Sequence, residues 1–298
     1  MGAVKEGLKG LAPRGGPWED ETMCGRFAIK ALPEDMLRTF GYAERPNFPP
    51  RYNIAPTQPV PVVTMQQGQR HFQLMRWGFI PGWVKDMKDF PLVFNIRSES
   101  AREKASFRAA FLRRRALMPA DAFYEWRREG RVSHPFMVRR PDQGLFAFPA
   151  LWETWMSADG SEVDTVALLT ASAEGPMAAI HHRMPVILDA ANWNEWLDPD
   201  TTPERAETLL TPPLQTEMEL VALGPAINKV ANDGREVQEP AGEPQAQPPS
   251  KPKKPPVRAA EDDGQGLANR TQNVPSPPTP PRNPSPMRRT RHTQTPPE

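Results

Sequence analysis

The chain contains a single cysteine, Cys24, in the block M-C-G-R-F at 23–27. A lone cysteine commonly serves as a small buried hydrophobe. Its place directly after a methionine opens a second reading. If translation starts at Met23 and the methionine is trimmed, Cys24 becomes the N-terminal residue. An α-amine titrates at about 7.7–8.0, against about 10.4 for lysine, so much of it is unprotonated near neutrality. Such an amine attacks an aldehyde to give an imine. The thiol on the adjacent carbon then closes a five-membered thiazolidine, an intramolecular step with a large effective molarity. Three further polar residues stand in segments that are otherwise apolar or turn-forming: Asn95 in F-N-I-R-S-E-S, Glu125 in F-Y-E-W and His181 in I-H-H-R-M-P. Each has a plainer reading. Asn95 suits a turn, Glu125 suits the solvent face of a strand whose aromatic neighbours point the other way, and His181-His182 suits a surface pair. One cysteine and adjacent rather than spaced histidines argue against zinc, and no metal or other cofactor is expected. A single cysteine also excludes an intrachain disulfide, which suits a reducing cytoplasm.

The elements that would position these residues can be read from spacing. A short helix is expected over 33–40, with Pro33 in its first turn beside Glu34 and Asp35. Residues 44–61 read as Pro-rich and irregular. Strands are expected near 60–65 and 70–76, followed by the Gly/Pro-punctuated loop W-G-F-I-P-G-W at 77–83. The longest helix is expected over 98–114, where Phe107, Ala110, Phe111 and Arg114 follow helical spacing and Ser98 or Ser100 could cap the start. F-Y-E-W-R and P-F-M-V-R-R flank a turn around Glu129-Gly130 and predict a hairpin. Further strands are expected at 145–148, 163–171 and 185–188, and short helices at 190–197 and 203–210. Strands outnumber helices and do not alternate with them. The expected fold is therefore α+β, a single domain with a curved, mostly antiparallel, barrel-like sheet flanked by short helices.

Composition sets the domain limits. Of the 38 prolines, 16 fall after Val237, and residues 238–298 contain no Phe, Tyr or Trp. That segment reads as a disordered Pro-rich tail that cannot bury a core. Residues 1–22, rich in Gly, Pro and charge, read as a disordered leader or a mis-assigned start, leaving 23–237 as the folded unit. Net charge is +1, so any nucleic-acid contact by the folded unit must come from a local patch. No apolar run approaches the ~20 residues of a membrane-spanning helix. The basic clusters K-P-K-K-P-P and R-R-T-R in the tail admit a solvated linker, loose DNA contact or docking to a repair or replication partner.

Seven blocks occur in order: M-C-G-R-F (23–27), R-Y-N-I-A-P (51–56), W-G-F-I-P-G-W (77–83), N-I-R-S-E (95–99), P-A-D-A-F-Y-E-W (119–126), I-H-H-R-M-P (180–185) and V-A-N-D (230–233). Together they resemble the SOS-response-associated peptidase (SRAP) family of abasic-site processing proteins. The resemblance implies binding to single-stranded DNA at an abasic site and a covalent thiazolidine cross-link through Cys24 to the open-chain sugar aldehyde. It implies that Asn95 orients the cysteine and the sugar, that Glu125 shuttles protons during imine formation, and that His181 assists ring opening. It also implies phosphate contacts from Arg26, Arg97 and Arg183. The roles suit the residue types: histidine exchanges protons near neutrality, and burial raises a glutamate toward it. Trp83, Phe79 and Pro81 offer apolar surfaces for stacking or wedging bases, although Trp83 also suits a core position. The chain departs from the family pattern in four places. Cys24 is not its second residue, so a start at Met23 or removal of residues 1–23 would have to expose it. Val84 stands where a second bulky aromatic is frequent, Ala122 where glycine is frequent, and His182 where aspartate is frequent. The implied setting is a monomer in the cytoplasm, on the nucleoid or in a nucleus according to host. Strand cleavage by β-elimination, a thiol peptidase acting on the Met23–Cys24 bond, and a non-covalent reader of single-stranded DNA are the competing activities.

Overall fold

A computed structural model describes residues 24–241, all within one unit of the chain bounded at Ala246. The expected leader and the tail beyond Ala241 lie outside the described residues. In chain order the elements are β1 (Phe27–Ile29), α1 (Pro33–Phe40), β2 (Arg51–Ile54), β3 (Pro59–Gln66), β4 (Gln69–Trp77), β5 (Asn95–Arg97), α2 (Ser98–Ala101), α3 (Ala105–Arg113), β6 (Arg115–Ala120), β7 (Ala122–Glu129), β8 (Val132–Arg139), β9 (Phe146–Met156), β10 (Glu162–Ser172), β11 (Arg183–Pro185), α4 (Trp193–Leu197), α5 (Pro203–Thr208) and β12 (Glu219–Ala222).

Five strands close a barrel. The pairings run β10–β4–β3–β6–β9 and return from β9 to β10; all are antiparallel except β4 with β10. Closure leaves these strands without an exposed edge. β10 is longer than the barrel needs. Its first half lies between β4 and β9, with Val166 opposite Trp77 and Trp152. Its second half lies between β5, where Leu168 faces Asn95, and β11, where Ser172 faces Arg183. One strand thus fixes two chain segments that carry candidate residues.

The remaining strands form an open sheet in the order β12–β8–β7–β1–β2. Its side chains alternate between two cores, as the period-2 rule requires. Phe27, Ile29, Phe123 and Val138 join the main core with the barrel residues, where Phe27 meets Trp77 at 5.2 Å between ring centres and Phe123 meets Phe148 at 5.9 Å. Ala28, Ala122, Tyr124 and Met137 face a smaller cluster closed by Leu223, Ile227 and Val237.

The helix at 33–40, the strands near 60–65 and 70–76, and the β7–β8 hairpin follow the sequence reading. Gly130 turns the hairpin at φ +60°, a conformation that costs glycine little. Several expectations need correction. The single helix over 98–114 is two helices, α2 and α3. Ser98 and Phe107 are both buried, yet nine residues at ~100° each would put them on opposite sides of one continuous helix; the chain breaks at 102–104 to bury both. The irregular stretch 44–61 contains β2 and the start of β3. The strand expected at 145–148 runs on to Met156. The expected boundary at Val237 falls short, because Ala241 donates to the carbonyl of Ala222 at 2.8 Å and Leu223 bridges Pro240.

Candidate active site

Strand register brings Cys24 to Glu125. β1 pairs with β7 through Phe27–Phe123 and Ala28–Ala122, and the N–H of Tyr124 donates to the carbonyl of Arg26 at 3.0 Å. Continuing the same register sets Gly25 opposite Glu125, with Cys24 one residue beyond. There the backbone N–H of Cys24 donates to Glu125 Oε1 at 2.6 Å. The plainer reading of Glu125 as a solvated strand residue does not hold: it is 2% exposed. β7 is covered on both faces, so Tyr124 and Trp126 pack toward the smaller cluster while Glu125 shares the face of Phe123.

Burial sets the electrostatics. It raises the Glu125 pKa to about 7, outweighing the backbone donors Cys24 and Trp126. Burial and the nearby Glu125 charge push the Cys24 thiol well above its ordinary value. A carboxyl that exchanges its proton near neutrality and a thiol that stays protonated therefore sit side by side.

Gly25, Arg26, Glu125, Phe94, Ile180, His181 and His182 all line one cleft of about 1220 Å³. His181 is half-buried. Its Nδ1 accepts from the N–H of Arg183 at 3.1 Å and lies 3.2 Å from the Arg183 carbonyl. His182 is exposed, with its ring centre 4.3 Å from that of His181. Asn95 is half-buried at the start of β5, next to the lining residue Phe94.

Arg26 lines the cleft and is held from behind. Its Nη1 donates to Asn53 Oδ1 at 2.9 Å and to the carbonyl of Ile227 at 3.1 Å, and its guanidinium lies 5.8 Å from the ring centre of Trp126. Asn53 is fully buried. Its amide donates to the carbonyls of Lys229 and Asn232 at 3.0 and 2.8 Å. Asp233 accepts from the N–H groups of Tyr52 and Asn53, both at 2.7 Å, and pairs with Arg51. The blocks R-Y-N-I-A-P and V-A-N-D therefore form one clamp. Both blocks stand out in the sequence, but nothing in them marks Asn53 or Asp233 as the residues that join them.

Three expected DNA contacts are corrected by burial. Phe79 is 1% exposed and packs edge-on to Phe107 at 5.6 Å, so it is a core ring. Pro81 is buried. Arg183 is 7% exposed, and its guanidinium is committed to Glu99, at 2.5 and 3.0 Å, and to the carbonyl of Thr170 at 2.8 Å. Arg97 and Trp83 remain exposed, but neither lines the cleft. Trp83 is 66% exposed, edge-on to Phe90. Val84 turns inward with Ile80 and Trp155. The loop that carries them starts at Gly78 with φ +145°, where a Cβ would meet the Arg76 guanidinium at 2.6 Å. Among the described residues, no three His, Cys, Asp or Glu side chains group as metal ligands, and no helix is long and apolar enough to cross a membrane.

Comparison with known proteins agrees with this architecture. A crystal structure of a protein from Bacteroides thetaiotaomicron superposes with a TM-score of 0.67 at 22% identity, covering 73% of this chain and all of that one. Abasic site processing protein YoqW of Bacillus subtilis is 34% identical over 222 residues, covering 73% of this chain and 99% of that protein. Abasic site processing protein YedK of Escherichia coli is 29% identical over 230 residues, covering 73% and 100%. Abasic site processing protein HMCES of Xenopus tropicalis is 27% identical over 241 residues, covering 65% and 71%. The model of the SOS response associated peptidase family matches residues 23–230, and the chain belongs to that family.

Proposed function

We propose that this protein processes abasic sites in single-stranded DNA by forming a covalent adduct through Cys24, once that residue is N-terminal. The observation that carries the reading is the 2.6 Å contact between the nitrogen of Cys24 and Glu125, a carboxyl that burial raises to about 7 while Cys24 is in peptide linkage. The amine attacks the aldehyde carbon of the open sugar. Glu125 takes a proton from the nitrogen and returns one to the carbinolamine hydroxyl, which leaves as water. The thiol of Cys24 then adds to the imine carbon, its proton passing to the nitrogen, and the thiazolidine closes. The overall change is the loss of one water. A protonated thiol suits this order, because the amine reacts first. His181, in the lining of the same cleft, exchanges the protons of sugar ring opening, and Asn95 orients the reacting groups. Arg26 and Arg97 meet phosphates, and Trp83 offers a face to a neighbouring base. Ring closure outruns β-elimination, so adduct exceeds nicked strand.

The same contact gives the peptidase reading its one support: Glu125 is bonded to the nitrogen that cleavage of the Met23–Cys24 bond would release. Loss of residues 1–23 from the wild type and their retention in Glu125→Ala would establish self-processing.

The test is a denaturing gel with intact mass analysis, using protein expressed from Met23 and single-stranded DNA bearing one abasic site. The expected product survives denaturation, is absent with Cys24→Ala, and has the mass of DNA plus Met-trimmed protein less one water. No adduct from folded protein with Cys24 at its N-terminus, or nicked DNA as the main product, overturns the reading.

A further inference from the structure

We propose that Arg128 and Ser133, on the β7–β8 hairpin, hold a phosphate of a nucleotide neighbouring the abasic one, a subsite separate from the phosphates that Arg26 meets. The inference rests on the reading of this cleft as a site for single-stranded DNA.

Alternation along β7 decides where the charges of the hairpin go. Arg127 and Glu129 share the face of Glu125, and so does His134, which lies opposite Arg127 in register. On that face Glu129 meets Arg127 at 2.9 Å and His134 at 3.5 Å, and the Arg127 guanidinium covers the ring of Phe136 at 5.3 Å. Those cations are satisfied. The other face carries Trp126, Arg128 and, opposite Arg128, Ser133. Directly opposed residues stand side by side on one face, so the guanidinium and the hydroxyl share a patch. Both residues are exposed and both line the cleft. Arg128 has no acidic partner among the described residues. A free guanidinium beside a hydroxyl is a donor set for phosphate oxygens.

Trp126 keeps this patch apart from Arg26. By register Arg26 lies level with Tyr124, Trp126 follows along β7, and Arg128 comes next. Four residues of strand separate the levels of the two arginines by about 13 Å. The indole between them is fixed, because its Nε1 donates to Asn228 Oδ1 at 2.8 Å and the Arg26 guanidinium lies 5.8 Å from its ring centre. Arg26 is itself tied to Asn53 and Ile227. The two guanidinia therefore take different phosphates. The route between them is open: past Glu125, no strand among the described residues covers the edge of β7 that β1 leaves. Glu125 is the one acid among the described residues lining the cleft, and Arg26 and Arg128 are its arginines, a balance that attracts a polyanion.

The test measures binding to single-stranded DNA bearing one tetrahydrofuran residue, an abasic analogue with no aldehyde. Arg128→Ala should weaken binding about fivefold and lower the slope of log affinity against log salt by about 0.7, the share of one phosphate contact. Arg128→Lys should keep most of the slope, and Ser133→Ala should cost less than Arg128→Ala. Arg128→Gln serves if Arg128→Ala does not fold. A single neutral methylphosphonate linkage is then moved along the strand. At one position outside the two linkages flanking the analogue, it should weaken the wild type by a similar factor and leave Arg128→Ala unaffected. An unchanged salt slope in folded Arg128→Ala, the absence of any such position, or its falling on a flanking linkage overturns the proposal. Because the analogue cannot be cross-linked, these results stand whether or not the wild type forms an adduct. Wild type that binds no single-stranded DNA overturns this proposal and the reading beneath it together.

Discussion

Two glutamates in neighbouring motif blocks are held in opposite ways. Glu125 is buried, and among the described residues its hydrogen-bond donors are the backbone N–H groups of Cys24 and Trp126. Glu99 is half exposed and locked to a guanidinium. While Cys24 is in peptide linkage Glu125 meets no cation and its proton exchanges near neutrality; the guanidinium beside Glu99 makes its charge permanent. The same side chain is a reactive group in the first setting and a strut in the second. The partner rather than the motif decides which.

The contrast is sharpest in Glu125→Gln. Loss of a positioned acid–base group costs typically 10²–10⁴ in rate, so adduct formation in single-turnover assays should fall by that factor. Stability should move the other way. Between the ordinary carboxylate value of 4.5 and about 7, the folded chain holds a proton that the unfolded chain has lost. Stability therefore falls as pH rises through that window. Removing the ionisable group should recover up to about 3 kcal/mol in urea unfolding above pH 7. Glu99→Gln should instead lose stability at neutral pH, because a lowered folded pKa stabilises above the ordinary range and fails as pH drops. A stability gain in both variants would break the comparison.

Phe79 and Trp83 of the W-G-F-I-P-G-W block repeat it in apolar form. Phe79→Ala should cost ~3–5 kcal/mol in thermal or urea unfolding, because its ring is core. Arg26→Ala should leave the fold intact and weaken binding to single-stranded DNA, lowering the salt slope by about one counterion; an unchanged slope would remove Arg26 from the phosphates. Trp83→Ala should be the mildest, with an unchanged melting temperature and a few-fold loss of affinity, consistent with one stacking contact of ~1–3 kcal/mol that is only partly engaged. A large fall in stability would mean that Trp83 belongs to the core after all.

Much of the barrel was legible because its strands alternate or run apolar, and α1 because Pro33 and its acidic neighbours mark a start. β2 and β6 were not. β2 is masked by prolines on both sides, and β6 follows α3 with Arg114 alone between them, so no turn signal marks its start. At the site, the residue types of Cys24, Glu125 and His181 were legible and their environment was not. Alternation alone sends Glu125 to solvent, and only the covering of β7 on both faces, by the barrel and by residues 223–237, reverses that. For the same reason Phe79 and Arg183 looked available: sequence shows a ring or a guanidinium but not the Phe107 or Glu99 waiting for it.

Hanging β5 and β11 on one strand also bears on how the chain tolerates change. The spacing of Asn95 and His181 is set by the register of β10, not by the lengths of the connections around it. The turn at 157–161 joins β9 to β10 at the end remote from β5 and β11, so residues added there lengthen a loop and leave that spacing alone. A single residue inserted within 166–172 would shift every pairing beyond it and turn the following side chains to the opposite face. Variation among relatives should therefore collect at the first place and be absent from the second.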